Sequence, residues 1–170
     1  DLVMNSNLLY CFYRLREVVA DTNSLYCLSS SDGITWGDKT LVLTGAGGSL
    51  SSPAIVRNDT SWVMWTCDSG TLKRRTSAVL TSGWSESADC TLYNLPAGKS
   101  LWHINTVWTG TEYHAFVMVC DTGTAGLGGI LYFATSPDGL KWYLQTTSLL
   151  GPGESGNFDD ELIYRSAGAP

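Results

Sequence analysis

The chain has 170 residues and a formal net charge of −6; 44% of it is hydrophobic, 11% aromatic and only 15% charged. That length suits one domain with a core of its own, and that composition excludes a disordered tail. No apolar run reaches 18 residues, which excludes a membrane-spanning helix, and the acidic balance disfavours nucleic acid as a partner while fitting a neutral, hydroxylated or cationic ligand.

No segment keeps an apolar stripe of helical period. Short apolar and aromatic runs, separated by Gly, Asn, Asp and Ser, predict an all-β chain of many short strands. In chain order, strands are expected at 1–4, 9–13 and 25–29, followed by the turn Ser30-Ser31-Asp32-Gly33 and then Trp36. A second series runs 52–56, 61–65 and 72–76, followed by Thr81-Ser82-Gly83-Trp84. A third runs 103–107, 112–116 and 131–135, followed by Ser136-Pro137-Asp138-Gly139 and then Trp142. A fourth begins at Asp159-Asp160-Glu161-Leu162-Ile163-Tyr164-Arg165.

These series are internal repeats. Ser30-Ser31-Asp32-Gly33-Ile34-Thr35-Trp36 matches Ser136-Pro137-Asp138-Gly139-Leu140-Lys141-Trp142, and the degenerate copy at Trp84 falls halfway between them. In such a turn the Asp carboxylate accepts backbone N–H groups, Gly supplies positive φ, and the Trp is large enough to fill the gap between neighbouring sheets. Four short strands in about 50 residues is the size of a β-propeller blade. The expected division is 1–50, 51–100 and 101–153 for three blades and 154–170 for the start of a fourth. That many blades do not close a ring, so completion falls to the remaining blades of a longer chain or to partner subunits. The start at Asp1, without an initiator Met or a signal peptide, reads as that of a processed or excised piece.

Five cysteines occur, with no Cys-x-x-Cys pair. Cys11 and Cys27 fall on neighbouring strands, which leaves open one disulfide or a set of buried free thiols. Asn58-Asp59-Thr60 has the form of a glycosylation sequon. Two histidines without ligand spacing predict no metal, and Gly123, Gly126, Gly128 and Gly129 do not open a helix as a phosphate cradle would. No cofactor is expected.

The Ser-x-Asp-Gly-x-x-Trp turns, Trp102-His103 opening the third unit, and Asp159-Asp160 with Tyr164-Arg165 opening the fourth resemble the five-bladed propeller superfamily of glycoside hydrolases. That superfamily includes family 43, the fructosidases and the neoagarobiose-hydrolase-like enzymes, with relatives in phage tail and surface proteins. The turn also resembles a sialidase Asp box, but is one residue short, and no arginine triad accompanies it. The first resemblance implies a glycan in a central pocket lined by inner strands, and an extracellular or virion-surface setting. It further implies carboxylates flanking the scissile bond, one of them protonated. By position, Asp1 is the candidate base, His103 or Asp160 the candidate acid, and Trp102, Asn105, Asp159 and Arg165 the candidate substrate contacts. Ala54 stands where a second Asp is usual, and Trp102-His103-Ile104-Asn105 holds no Glu. Those departures keep a second reading alongside hydrolysis: a non-catalytic structural or receptor-binding module.

Overall fold

Runs rich in β-branched and aromatic residues become strands wherever a turn residue with positive φ ends them. The computed structural model describes residues 1–124 and 126–156, and every regular element among them is a strand. β1 (Leu2–Asn5), β2 (Leu8–Glu17), β3 (Thr22–Ser30) and β4 (Thr40–Ala46) form a first antiparallel sheet in chain order. β5 (Ser51–Arg57), β6 (Trp62–Asp68), β7 (Thr71–Ser77) and β8 (Ala88–Asp89) form a second. β9 (Thr91–Tyr93) then leaves the second sheet. The third sheet is β10 (Lys99–Trp108), β11 (Tyr113–Asp121), β12 (Ile130–Ser136) and β13 (Lys141–Leu144), and β9 joins its outer edge, parallel to β13. Two-residue turns close the β1–β2 and β6–β7 hairpins: Ser6-Asn7 (φ 49° and 63°) and Ser69-Gly70 (φ 50° and 84°).

Two apolar layers hold the three sheets together. Val3, Phe12, Leu25, Ile55, Trp62 and Met64 join the first sheet to the second. Val63, Trp65, Leu72, Val117, Ala134 and Trp142 join the second to the third. Successive β6 residues point to opposite faces, so Trp62 and Met64 enter one layer and Val63, Trp65 and Cys67 the other. That is why Trp62–Cys67 is buried throughout and shows no polar alternation. The first strands of the three sheets, β1, β5 and β10, line a hollow of about 330 Å³.

The repeated turns form as the sequence predicts. Asp32 Oδ1 accepts the amides of Ile34 (2.8 Å) and Thr35 (2.7 Å), and Asp138 Oδ1 those of Leu140 (2.8 Å) and Lys141 (2.9 Å). Behind each carboxylate lies a buried serine, Ser30 or Ser136, whose hydroxyl accepts the Gly33 or Gly139 amide. The middle copy keeps the serine, a positive-φ glycine (Gly83, φ 69°) and the Trp but has no Asp: Ser77 Oγ accepts the Val79 amide (3.0 Å) and donates to the Ser82 carbonyl (2.6 Å). Trp142 and Trp65 meet edge to face at 5.5 Å, and both indole N–H groups donate to the Gly139 carbonyl, at 3.2 Å and 2.7 Å. Trp84 packs on the layer between the first and second sheets. Trp84 and Trp142 therefore fill inter-sheet gaps, as their size suggests, whereas Trp36 belongs to neither layer. Trp36 precedes β4, whereas Trp142 lies within β13.

The cysteine alternative resolves to free thiols. Cys11 lies opposite Leu28 and Cys27 opposite Phe12, a register difference of one residue that sends the two side chains to opposite faces. Burial raises the Cys27 thiol, and pushes Cys67 up to about 11 and Cys90 up to about 12. In the sequon, Asn58 serves the fold: its Oδ1 accepts the Thr60 and Ser61 amides, and its Nδ2 donates to Tyr113 Oη at 2.7 Å. The run Lys73-Arg74-Arg75 is ion-paired at both ends, Lys73 with Asp89 and Arg75 with Asp68 at 3.9 Å, and is not a solvated face.

Candidate functional site

Two irregularities in neighbouring inner strands build a cleft. β5 pairs with β6 at Ser51 and again at Ala54, and the intervening Ser52 has a positive φ of 51°. Pro53 has no N–H for the ladder, so the strand bulges there. β10 slips in the same way between Leu101 and His103, leaving Trp102 as its extra, unpaired residue. A bulge re-aims side chains. Here both turn theirs towards one hollow of about 290 Å³, lined by Arg14, Ser51, Ser52, Cys67, Trp102 and His103.

The polar groups in the cleft come from all three sheets. The Ser52 hydroxyl is hydrogen-bonded to His103 Nδ1, joining β5 to β10. Arg14, on β2, donates from Nη1 to the Ser51 hydroxyl. Trp102 stands at 75° to the His103 ring, with centroids 5.7 Å apart, and the Gly126 loop passes close to its indole nitrogen. The wall opposite is made of Gly48, Ser69 and Gly70. A Cβ at Gly48 would meet Ser69 Oγ at 2.5 Å, so a bare backbone keeps that side concave. No Asp or Glu is among the described lining residues. Asp68, nearby in sequence, is engaged by the Leu50 amide (2.8 Å) and by Arg75.

Asp1 and Asn105 lie elsewhere, in the hollow between β1, β5 and β10, with Arg57 and Trp108. The Asp1 carboxylate accepts the Ile55 amide through Oδ2 (2.8 Å) and the Leu2 amide through Oδ1 (3.0 Å), which ties β1 to β5. The structure thus brings Trp102 together with His103, and Asp1 together with Asn105. Asp159, Asp160 and Arg165 lie outside the described residues. The sequence did not single out Arg14 or Ser51. The signal was the Ser-Ser-Pro run, which breaks a strand where an inner strand was expected.

Comparison with solved structures follows from this geometry. The chain superimposes on a GH32 β-fructofuranosidase of Bombyx mori with a TM-score of 0.68, at 12% identity over 93% of this chain and 35% of that one. A putative glycoside hydrolase of Parabacteroides distasonis gives 0.63, at 18% identity over 94% and 54%. An α-L-arabinanase of Penicillium chrysogenum, solved with arabinobiose, gives 0.57, at 14% identity over 88% and 46%. The fold is that of the propeller glycoside hydrolases. At these identities the likeness concerns the fold alone, and the chain spans about half the length of most of these structures or less. One curated protein, an A type blood N-acetyl-α-D-galactosamine deacetylase of Flavonifractor plautii, is 36% identical over 69 residues, which is 39% of this chain and 9% of that protein. No protein-family model matches.

Proposed function

We propose that this propeller-fold chain recognises a glycan, and that the cleft between the β5 and β10 bulges holds it. The observation that carries the reading is the composition of the cleft: one indole, one imidazole, one guanidinium and several hydroxyls, drawn from three sheets onto a hollow of sugar-ring size. Saccharides are bound this way, with an aromatic face against the C–H side of the ring and a few fixed polar groups on its hydroxyls. Each sheet is read as one blade, with 154–170 starting a fourth and further blades or partner subunits completing the ring. Support comes from the glycoside hydrolases that share the fold, one of them solved with arabinobiose. The test is calorimetric titration of the chain with arabinobiose, fructo-oligosaccharides, N-acetylgalactosamine glycans and uronate oligosaccharides, repeated with Trp102→Ala. A sugar that binds the parent chain and loses roughly tenfold or more in the variant supports the reading; equal affinity in both shows that the sugar does not use this cleft.

Hydrolysis is the finer proposal, and it requires a glycan long enough to reach from the cleft into the hollow between β1, β5 and β10: Asp1 there as base, His103 or Asp160 as acid, with Asn105, Asp159 and Arg165 positioning the sugar. Asp1→Asn then abolishes turnover while leaving glycan affinity unchanged. The second reading, a recognition module without turnover on a phage tail or cell surface, is favoured by the lack of a carboxylate among the described residues that line the cleft. It predicts that no variant of Asp1 changes anything but stability.

A further inference from the structure

The cleft has an electrostatic character that its chain does not share. The 170-residue chain carries a formal charge of −6, yet Arg14 is the one formally charged residue among the described lining residues. Other arginines of the first two sheets are paired with carboxylates: Asp21 lies 3.6 Å from Arg16, and Asp68 lies 3.9 Å from Arg75. Among the described residues no carboxylate lies within ion-pair distance of Arg14; its recorded partner is the Ser51 hydroxyl. A guanidinium has five N–H donors, and one hydroxyl uses a small part of that capacity. The hydroxyls of Ser51 and Ser52 and the imidazole of His103 lie around the same hollow, with the Trp102 ring at its side.

We infer that the sugar bound in this cleft carries a carboxylate, as a uronic acid does, and that Arg14 is its recognition residue. The inference rests on the glycan reading above and narrows it. A planar carboxylate matches the guanidinium fork, which can hold both oxygens at once, while a neutral hydroxymethyl group in the same place satisfies one donor at most. The acidic remainder of the surface gives no general attraction for polyanions, so preference for a charged sugar must come from this one site.

Calorimetry with the trisaccharide of galacturonic acid or of glucuronic acid, each beside its carboxyl-reduced neutral counterpart, tests this directly. The parent chain is expected to bind one acidic trisaccharide roughly tenfold or more tightly than its reduced form, the scale of a charge-assisted hydrogen bond. Arg14→Gln should remove that preference by weakening the acidic sugar far more than the reduced one, so that the two bind alike, and Arg14→Lys should retain only part of it. Arg14 is exposed at the end of β2 and belongs to neither apolar layer, so these variants keep the fold, which circular dichroism checks. Equal affinity for acidic and reduced forms in the parent overturns the carboxylate inference but leaves glycan recognition standing. A preference that survives Arg14→Gln shows that the carboxylate is read elsewhere. Failure of every acidic, reduced and neutral saccharide to bind removes the glycan reading and this inference together.

Discussion

Asp32 and Asp138 show how much one side chain can do when it replaces a backbone partner. Hydrogen bonds from the Thr35 and Ile34 amides and the Ser30 hydroxyl hold the Asp32 carboxyl down at about 2. At Asp138 burial pushes upward, but the Lys141 and Leu140 amides, the Ser136 hydroxyl and the Lys141 charge outweigh it and leave that carboxyl lowered too. A carboxyl depressed by folding stabilises the fold fully above its unfolded value, near 3.9, and loses that contribution as pH falls through its folded value. Acid unfolding should therefore steepen between about pH 4 and pH 2, and Asp32→Asn should flatten that part of the stability curve followed by circular dichroism. Asp138→Ala removes the one oxygen that accepts two amides and should cost about 1–2 kcal/mol in urea unfolding, as loss of a helix cap does. The turns were legible in the sequence because every bond in them spans three residues or fewer. Ser77 was not, because it has no Asp two residues on and its glycine, Gly83, stands six residues away, so only burial reveals that it holds the place of Ser30 and Ser136.

Among the elements, bulges and edge strands carry what the repeats do not. The strands could be read from their periodicity, and Trp102 and His103 could be placed on an inner strand. Arg14 and Ser51 could not be placed together, since 37 positions separate them and only the packing of β2 against β5 brings them into contact. β9 was equally hidden: three residues carry no period, and its parallel pairing with β13 arises only once the third sheet exists. It acts as a clasp, with Tyr93 stacked on Tyr143 at 4.8 Å and Leu92 packed on the core behind. Leu92→Asp should release it, lowering the melting temperature and speeding hydrogen exchange at the β13 amides; unchanged exchange there would show that β13 is held by β12 alone. Gly139 shows how tightly the second and third sheets meet. Its φ is 72°, and a Cβ there would lie 2.8 Å from the Trp65 ring. Gly139→Ala should therefore destabilise the chain by about 1–3 kcal/mol, through overpacking and backbone strain together.

For the molecule as a whole, the three sheets are covered unequally. The second is enclosed on both faces, while the first turns Leu2, Met4, Tyr13, Tyr26 and Leu41 away from it, with Leu2 and Met4 61% and 66% exposed. An apolar face of that kind promotes association. The 170-residue chain should self-associate with rising concentration in light-scattering measurements, and Leu2→Ser with Met4→Ser and Leu41→Ser should suppress it; a monodisperse parent chain would contradict this. The double burial of β6 has a consequence in time. A ribosome delivers Trp62–Cys67 before any residue of the third sheet, so Val63, Trp65 and Cys67 meet the cytosol or a translocation channel with one of their two neighbours still unmade. Nascent chains arrested shortly after β8 should be held by chaperones, and release should come with the emergence of Trp142, the side chain that closes the layer over Trp65.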